Sequence, residues 1–235
     1  MSSPEVPAAA TSLLAGLLDD GCDLVEVVRT RVSVHYETGR TDVPVLCVCE
    51  PSAVPLPNAL ITSVLPTGPV SVRAGALSSD AATWRVTRWW QPPRPGGLAP
   101  PGSPVDVPGV DVPSVLRPEL LVGAGPGLTP AGDDVLAGAL VAAHATGDPR
   151  LEALRAGTRA ALRIRGTTAV SRGLLTHALD GWATPELADF VTAVCGGDVG
   201  PTALRLLGVG SSSGAALAAG ALHVLSPSYA VEGAA

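Results

Sequence analysis

Nine prolines fall between Gln91 and Pro118, and no long regular element survives such a run. Proline lacks the N–H that a helix or a central strand needs, and it pushes the residue before it out of the helical region. The stretch (PPRPGG, PPGSP, VPGVDVP) therefore reads as an extended connector that separates two textures of chain. The boundaries that follow are a β-rich region at 1–92, the connector at 93–119 and a helical region at 120–235.

Before the connector, residues 8–19 have helical spacing with a stop at Gly21. From Asp23 the texture changes to short pieces rich in Val and Thr: 24–35, 43–49, 59–64, 70–75 and 82–90. Such pieces, punctuated by Pro, Gly or Ser-Asp, predict antiparallel strands in a meander or small barrel. After Leu120 the spacing predicts helices at about 130–146, 149–164, 167–180, 184–195, 200–207 and 213–226, with glycines near most boundaries. The class is α+β, an N-terminal antiparallel β meander or small barrel followed by an all-helical domain. The residues from Ser226 onward read as a loose tail.

With 46% hydrophobic but only 3% aromatic residues, the core must be built from Ala, Val and Leu. Trp84, Trp89 and Trp90 form the main aromatic group and read as core or as an interface anchor. A net charge of −6 argues against a general nucleic-acid binder. The first 18 residues carry no basic residue, unlike a signal peptide, and no 18-residue run is uninterruptedly apolar. These features point to a cytoplasmic chain with no membrane partner. Cys22, Cys47, Cys49 and Cys195 do not complete a zinc pattern, and Cys47 and Cys49 read as buried free thiols. The four histidines have no metal-ligand spacing, and no G-x-S-x-G elbow is present.

The most informative stretch is Leu121-Val-Gly-Ala-Gly-Pro-Gly-Leu-Thr-Pro-Ala-Gly-Asp-Asp134. Glycines at alternate positions lead into Thr129, a good N-cap, and Pro130, suited to a first helical position. Backbone N–H groups converging at the positive end of a helix make an anion nest. It is not a Walker A loop, which needs Gly-Lys-Ser/Thr, because all 15 basic residues are Arg. Nor is it a dinucleotide fingerprint, since the third glycine of G-x-G-x-x-G would fall on Leu128 or Pro130. Asp133 and Asp134 follow in the first turn. There they stabilise the helix through its dipole, or they act on a ligand. An anion in the nest would be repelled by both acids unless Mg²⁺, or a substrate amide or ureido N–H, lay between; no cofactor is otherwise indicated. Further along, Arg163-Ile-Arg165-Gly-Thr167-Thr168-Ala-Val-Ser171-Arg172 can hold a carboxylate or phosphate, or can simply cap a helix with Thr167.

The string GPGLTPAGDD followed by VLAGAL resembles the G-x-G-x-G-L-T-P-S-G-D-D signature of a little-characterised bacterial family once described as carboxylase-like. One branch is assigned as a subunit of oxamate carbamoyltransferase, in allantoin degradation. The Thr-Thr-x-x-Ser pattern at 167–171 also resembles the family. The chain also carries an internal echo, in which Gly132–Leu140 lines up with Gly214–Leu222; at its second loop the family often has Asp where this chain has Ala216.

The resemblance implies a subunit of a carbamoyl-transferring enzyme that acts on an oxamate- or oxalurate-type acid with phosphate or carbamoyl phosphate. For that reaction the residues themselves offer Asp133 and Asp134 as candidate catalytic groups. They offer Gly125, Gly127, Thr129, Arg165, Thr168, Ser171, Arg172 and Ser212 as candidate substrate-binding groups. The implied partners are a small anionic substrate and other protein subunits. The alternative is a non-catalytic subunit that binds an anion and assembles partners, favoured by the connector, the Trp group and the lack of a nucleophile–base pair.

Overall fold

The computed structural model describes residues 4–226. The chain divides into two compact units, one up to Pro92 together with Arg172–Thr176, the other from Pro93 to Ser171 and from His177 on.

The first unit is a closed barrel of eight strands: β1 (Glu5–Thr11), β2 (Cys22–Arg29), β3 (Ser33–Glu37), β4 (Val45–Cys49), β5 (Ala59–Thr62), β6 (Val70–Arg73), β7 (Ala76–Ser78) and β8 (Thr83–Trp90), in the order β1-β5-β4-β3-β2-β6-β7-β8. The small barrel is thus the form the β-rich region takes. Its pairings are not all antiparallel, since β4 runs parallel to β5, and β8 parallel to β1 where the barrel closes. Inward residues include Val34, Tyr36, Leu46, Val48 and Trp84, whose Nε1 donates to Val64 O at 2.7 Å. Their strand neighbours Cys47 and Cys49 lie in a second cluster with Ala59, against which Trp90 packs. Both thiols are buried and free. Trp89 is half exposed.

Three expectations for this unit are corrected. Residues 8–19 are not one helix: β1 occupies the start, a 3-10 turn spans Ser12–Leu14, and α1 is confined to Ala15–Asp20. Alanine favours helix only weakly, and barrel closure, which places Ala8 and Ala10 in the core, outweighs that preference. The 24–35 piece is two strands, because Thr30 Oγ1 accepts the N–H groups of Val32 and Ser33 and turns the chain. β7 was not anticipated. Its hairpin with β6 turns through Ala74 and Gly75, both at positive φ, and alanine gives no sign of that conformation.

In the second unit α2 (Pro118–Leu121) precedes α3 (Ala131–Thr146), α4 (Leu151–Ile164), α5 (Ala169–Ala178), α6 (Pro185–Gly196), α7 (Val199–Leu207) and α8 (Ser213–Leu225). Residues Arg172–Thr176 of α5 group with the barrel. α3 and α8 are apolar almost all round, as central helices should be, and most of their residues are buried. They pack on each other through glycines. A Cβ on Gly138 would stand 2.0 Å from Leu217 O, and one on Gly220 would stand 1.9 Å from Val135 O. In the internal echo Val135 corresponds to Leu217 and Gly138 to Gly220, so the contact is reciprocal. α4 is amphipathic, burying Thr158 and Ala161 while Arg159 and Arg163 face solvent. No helix among the described residues is long and apolar enough to cross a membrane.

Candidate functional site

The Gly-rich loop takes its shape from three positive-φ glycines, Gly123, Gly125 and Gly127. At Gly123 the requirement is also steric, since a Cβ there would lie 2.4 Å from Gly166 O. The close approach puts the loop against the chain entering α5. Among the described residues, the N–H groups of Gly125, Gly127 and Leu128 are not spent on backbone or side-chain acceptors of this chain. These glycines and Leu128 are solvent-exposed. Thr129 is not the N-cap: Pro130 occupies that position and α3 starts at Ala131. The Thr129 hydroxyl instead lies 2.7 Å from Ser213 Oγ at the start of α8.

That contact sets the direction of the central pair. Thr129 meets Ser213 at the two starts, and the reciprocal glycine contacts follow further along both helices, so α3 and α8 run the same way. Two positive helix ends therefore converge on one spot.

The adjacent acids have different surroundings. Asp133 is 1% exposed, and both of its oxygens are engaged. Oδ1 accepts the Gly123 N–H at 2.8 Å, and Oδ2 accepts the Thr167 hydroxyl. Charge-assisted bonds of this kind contribute about 1.5–3 kcal/mol each, so Asp133 ties the Gly-rich loop to the segment before α5. Asp134 is 2% exposed, and its Oδ2 has no hydrogen-bond partner. Burial pushes its carboxyl up to about 7 and the Asp133 charge adds to this, while the Ser213 and Thr129 hydroxyls facing it pull the other way. A carboxyl that is about half protonated at neutrality, and mostly so below it, lessens the repulsion that two ionised acids would exert on an anion.

The other predicted residues are placed as follows. Thr168 Oγ1 donates to Leu128 O and accepts the Ser171 N–H, so Thr168 rather than Thr167 closes the start of α5. The Ser171 hydroxyl is fully buried and unpartnered. Arg165 donates to the carbonyls of Val122 (3.1 Å) and Glu119 (3.0 Å), bracing the end of α2 just before the loop. Arg172 pairs with Glu37 of β3. Ser212 is exposed at the N-cap of α8 and makes no side-chain cap bond. Gly125, Gly127, Thr129, Thr168, Asp133 and Asp134 are thus gathered around the start of α3, whereas Arg165 and Arg172 are directed at other groups.

Two residues at this spot were not among the predicted binding residues. Thr167 lies in the stretch expected to hold a carboxylate or phosphate or to cap a helix, but is not singled out there as a binding residue. Ser213 belongs to a run of three serines, and only the packing of α8 on α3 selects it. Among the described residues, no group of three His, Cys, Asp or Glu side chains is placed to hold a metal ion.

The helical unit thus defines a class: a parallel, glycine-packed helix pair whose joined starts carry a Gly-rich loop, two hydroxyls and two buried acids. Residues 121–225, which span the loop and α3 to α8, match the model of a family described as oxamate carbamoyltransferase subunit AllH. The barrel lies outside that match. A search of curated proteins and a search of solved structures found no match.

Proposed function

We propose that this chain is a subunit of a cytoplasmic carbamoyl-transferring enzyme. It would act on an oxamate- or oxalurate-type acid with phosphate or carbamoyl phosphate. The observation that carries the reading is that the family match falls on the segment that builds the loop and the paired helix starts. The chemistry is compatible with this spot. In the phosphorolytic direction a phosphate oxygen attacks the carbamoyl carbon, the C–N bond to the acid's amide breaks, and the leaving nitrogen takes a proton. The N–H groups of Gly125 and Gly127 and the Thr129 hydroxyl would hold the anion, in the manner of an oxyanion site. Asp134, about half protonated at neutral pH because of its burial, is suited to supply that proton through the Ser213 and Thr129 hydroxyls in front of it. Asp133 would hold the loop in place.

The test is carbamoyl phosphate formation from oxalurate and phosphate, measured on the chain alone and with its partner subunits. Asp134→Asn should lower turnover at least about a hundredfold, the usual scale for a general acid, with the fold intact. Undiminished turnover in that variant would sink the assignment.

A second reading is an assembly subunit without chemistry of its own. It is favoured by the exposed apolar side chains Leu120, Leu128 and Ile164, on or beside the segments that frame the loop. On that reading Ile164→Asp would abolish complex formation, while Asp134→Asn would leave the complex fully active.

A further inference from the structure

The joined starts of α3 and α8 combine three features that a helix cap does not need. Helices of 16 and 13 residues present their positive ends at one point. Two hydroxyls, Thr129 and Ser213, touch each other there at 2.7 Å and are only partly buried. Behind them lies Asp134, 98% buried on a 2% exposure, with Oδ2 unpartnered and the carboxyl facing both hydroxyls. An ionised Asp134 would cancel the field that the two helix ends create. A protonated one would leave that field intact and donate a hydrogen bond into the hydroxyl pair.

We propose that the joined starts of α3 and α8 bind one small oxyanion together with one proton, with the Thr129 hydroxyl contacting the ligand, the Ser213 hydroxyl orienting it and Asp134 holding the proton behind both. This rests on the Gly-rich loop being the ligand site, as read above, and not on which acid is bound or on carbamoyl chemistry. In the bound state the groups would form one chain: Asp134 O–H would donate to Ser213 Oγ, Ser213 O–H to Thr129 Oγ1, whose contact with it is present at 2.7 Å, and Thr129 O–H to a ligand oxygen. When Asp134 is ionised, the first donor is lost and the hydroxyls turn toward the carboxylate, so none points at the anion. Binding above the carboxyl's midpoint therefore takes up a proton from solvent. Asp134 is a positioning residue here, acting through the two hydroxyls.

The other groups around Asp134 are either held by partners of their own or uncharged. Its own helix contributes Asp133, whose oxygens are held by Gly123 and Thr167. α8 contributes Ser213 and the loop Thr129, neither of which titrates near neutrality. Arg165, on the segment leading to α5, is directed at the carbonyls of Glu119 and Val122. With the carboxyl at about 7, the linkage falls in an accessible range.

Titration calorimetry of the full chain with sulfate, which does not itself titrate between pH 5.5 and 8, tests this. Each pH is run in two buffers of different ionisation enthalpy to count protons. The expected result is uptake approaching one proton per sulfate at pH 8 and close to none at pH 5.5. Affinity should fall toward tenfold per pH unit above the midpoint, as a single linked proton requires. Asp134→Asn should bind sulfate with no proton uptake and a flat pH profile, and Ser213→Ala should weaken binding roughly tenfold, the scale of one lost hydrogen bond. Sulfate binding without proton uptake, unchanged uptake in Asp134→Asn, or no sulfate binding would each overturn the proposal. Proton-linked binding in a reconstituted enzyme that transfers no carbamoyl group would remove the functional reading and leave this one standing.

Discussion

Asp133 and Asp134 are adjacent in sequence and almost equally buried, yet they do different work. On an α-helix successive side chains point about 100° apart. One therefore meets Gly123 and Thr167, the other Thr129 and Ser213. The difference has a consequence for stability. Asp134 titrates at about 7 when folded and near 3.9 when unfolded. The folded state thus binds the extra proton, and stability is fully present below the unfolded value and lost as pH rises to the folded one. Asn at this position has no proton to lose. The advantage of Asp134→Asn over the parent should grow between pH 5 and pH 7 by on the order of 2–3 kcal/mol, then level off. Urea unfolding of both chains at pH 5, 7 and 8 measures it; an advantage independent of pH would contradict the buried, protonated carboxyl.

At the scale of elements, the helical unit depends on how closely α3 and α8 approach. Gly138 and Gly220 each lie against a carbonyl of the other helix where a Cβ could not fit, and backbone yields less readily than a side chain. Gly138→Ala and Gly220→Ala should each destabilise the chain by about 1–3 kcal/mol or more, the usual range for overpacking. Because both act on one interface, the double variant should cost less than the two single costs added. Thermal unfolding followed at 222 nm checks this, and additive costs would show that the two glycines are not in one contact. Gly127→Ala is a control: its φ of +94° is unfavourable for alanine, but nothing lies within 4 Å of the would-be Cβ, so only backbone strain applies.

For the whole molecule, beyond the gain on acidification already derived for Asp134, two further effects compete. Lowering the pH toward the isoelectric point near 5.1 removes net negative charge and its self-repulsion, which favours the folded state. Against this, burial holds His35 of the barrel down to about 4 and depresses His144 and His223 of the helical unit. A depressed histidine contributes stability above its unfolded value near 6.5, and that stability is lost as pH falls through the folded one. For His35 alone the loss is about 3 kcal/mol, larger than surface repulsion commonly contributes. Tryptophan fluorescence of the barrel, in a Trp182→Phe background, should report falling stability from pH 6.5 to 4. His35→Gln should flatten that slope. A parent chain that becomes more stable over this range would mean that the falling net charge and the Asp134 gain together outweigh the histidines.

Much of the architecture was determined by the sequence alone. Gly147 ends α3 in the left-handed region, Thr184 caps α6 through the Leu187 N–H, and helical periodicity located α3 to α8 within a few residues, because such signals act within one or two turns. The proline run marked where the texture changes for the same local reason. The barrel was less legible. Ala8–Thr11 is strand only because β5 and β8 lie on either side of it, and the β4–β5 and β1–β8 pairings join residues whose spacing carries no sign of parallel direction. At the candidate site the sequence supplied the loop and the acids, and the echo between residues 132–140 and 214–222 hinted at a second helix start. Tertiary structure alone decided which serine of three meets Thr129, which aspartate is held and which is left unpartnered, and that Arg172 is paired with Glu37. Those outcomes depend on burial and on neighbours distant in the chain, and the ionisation of a carboxyl follows its surroundings, which sequence adjacency does not encode.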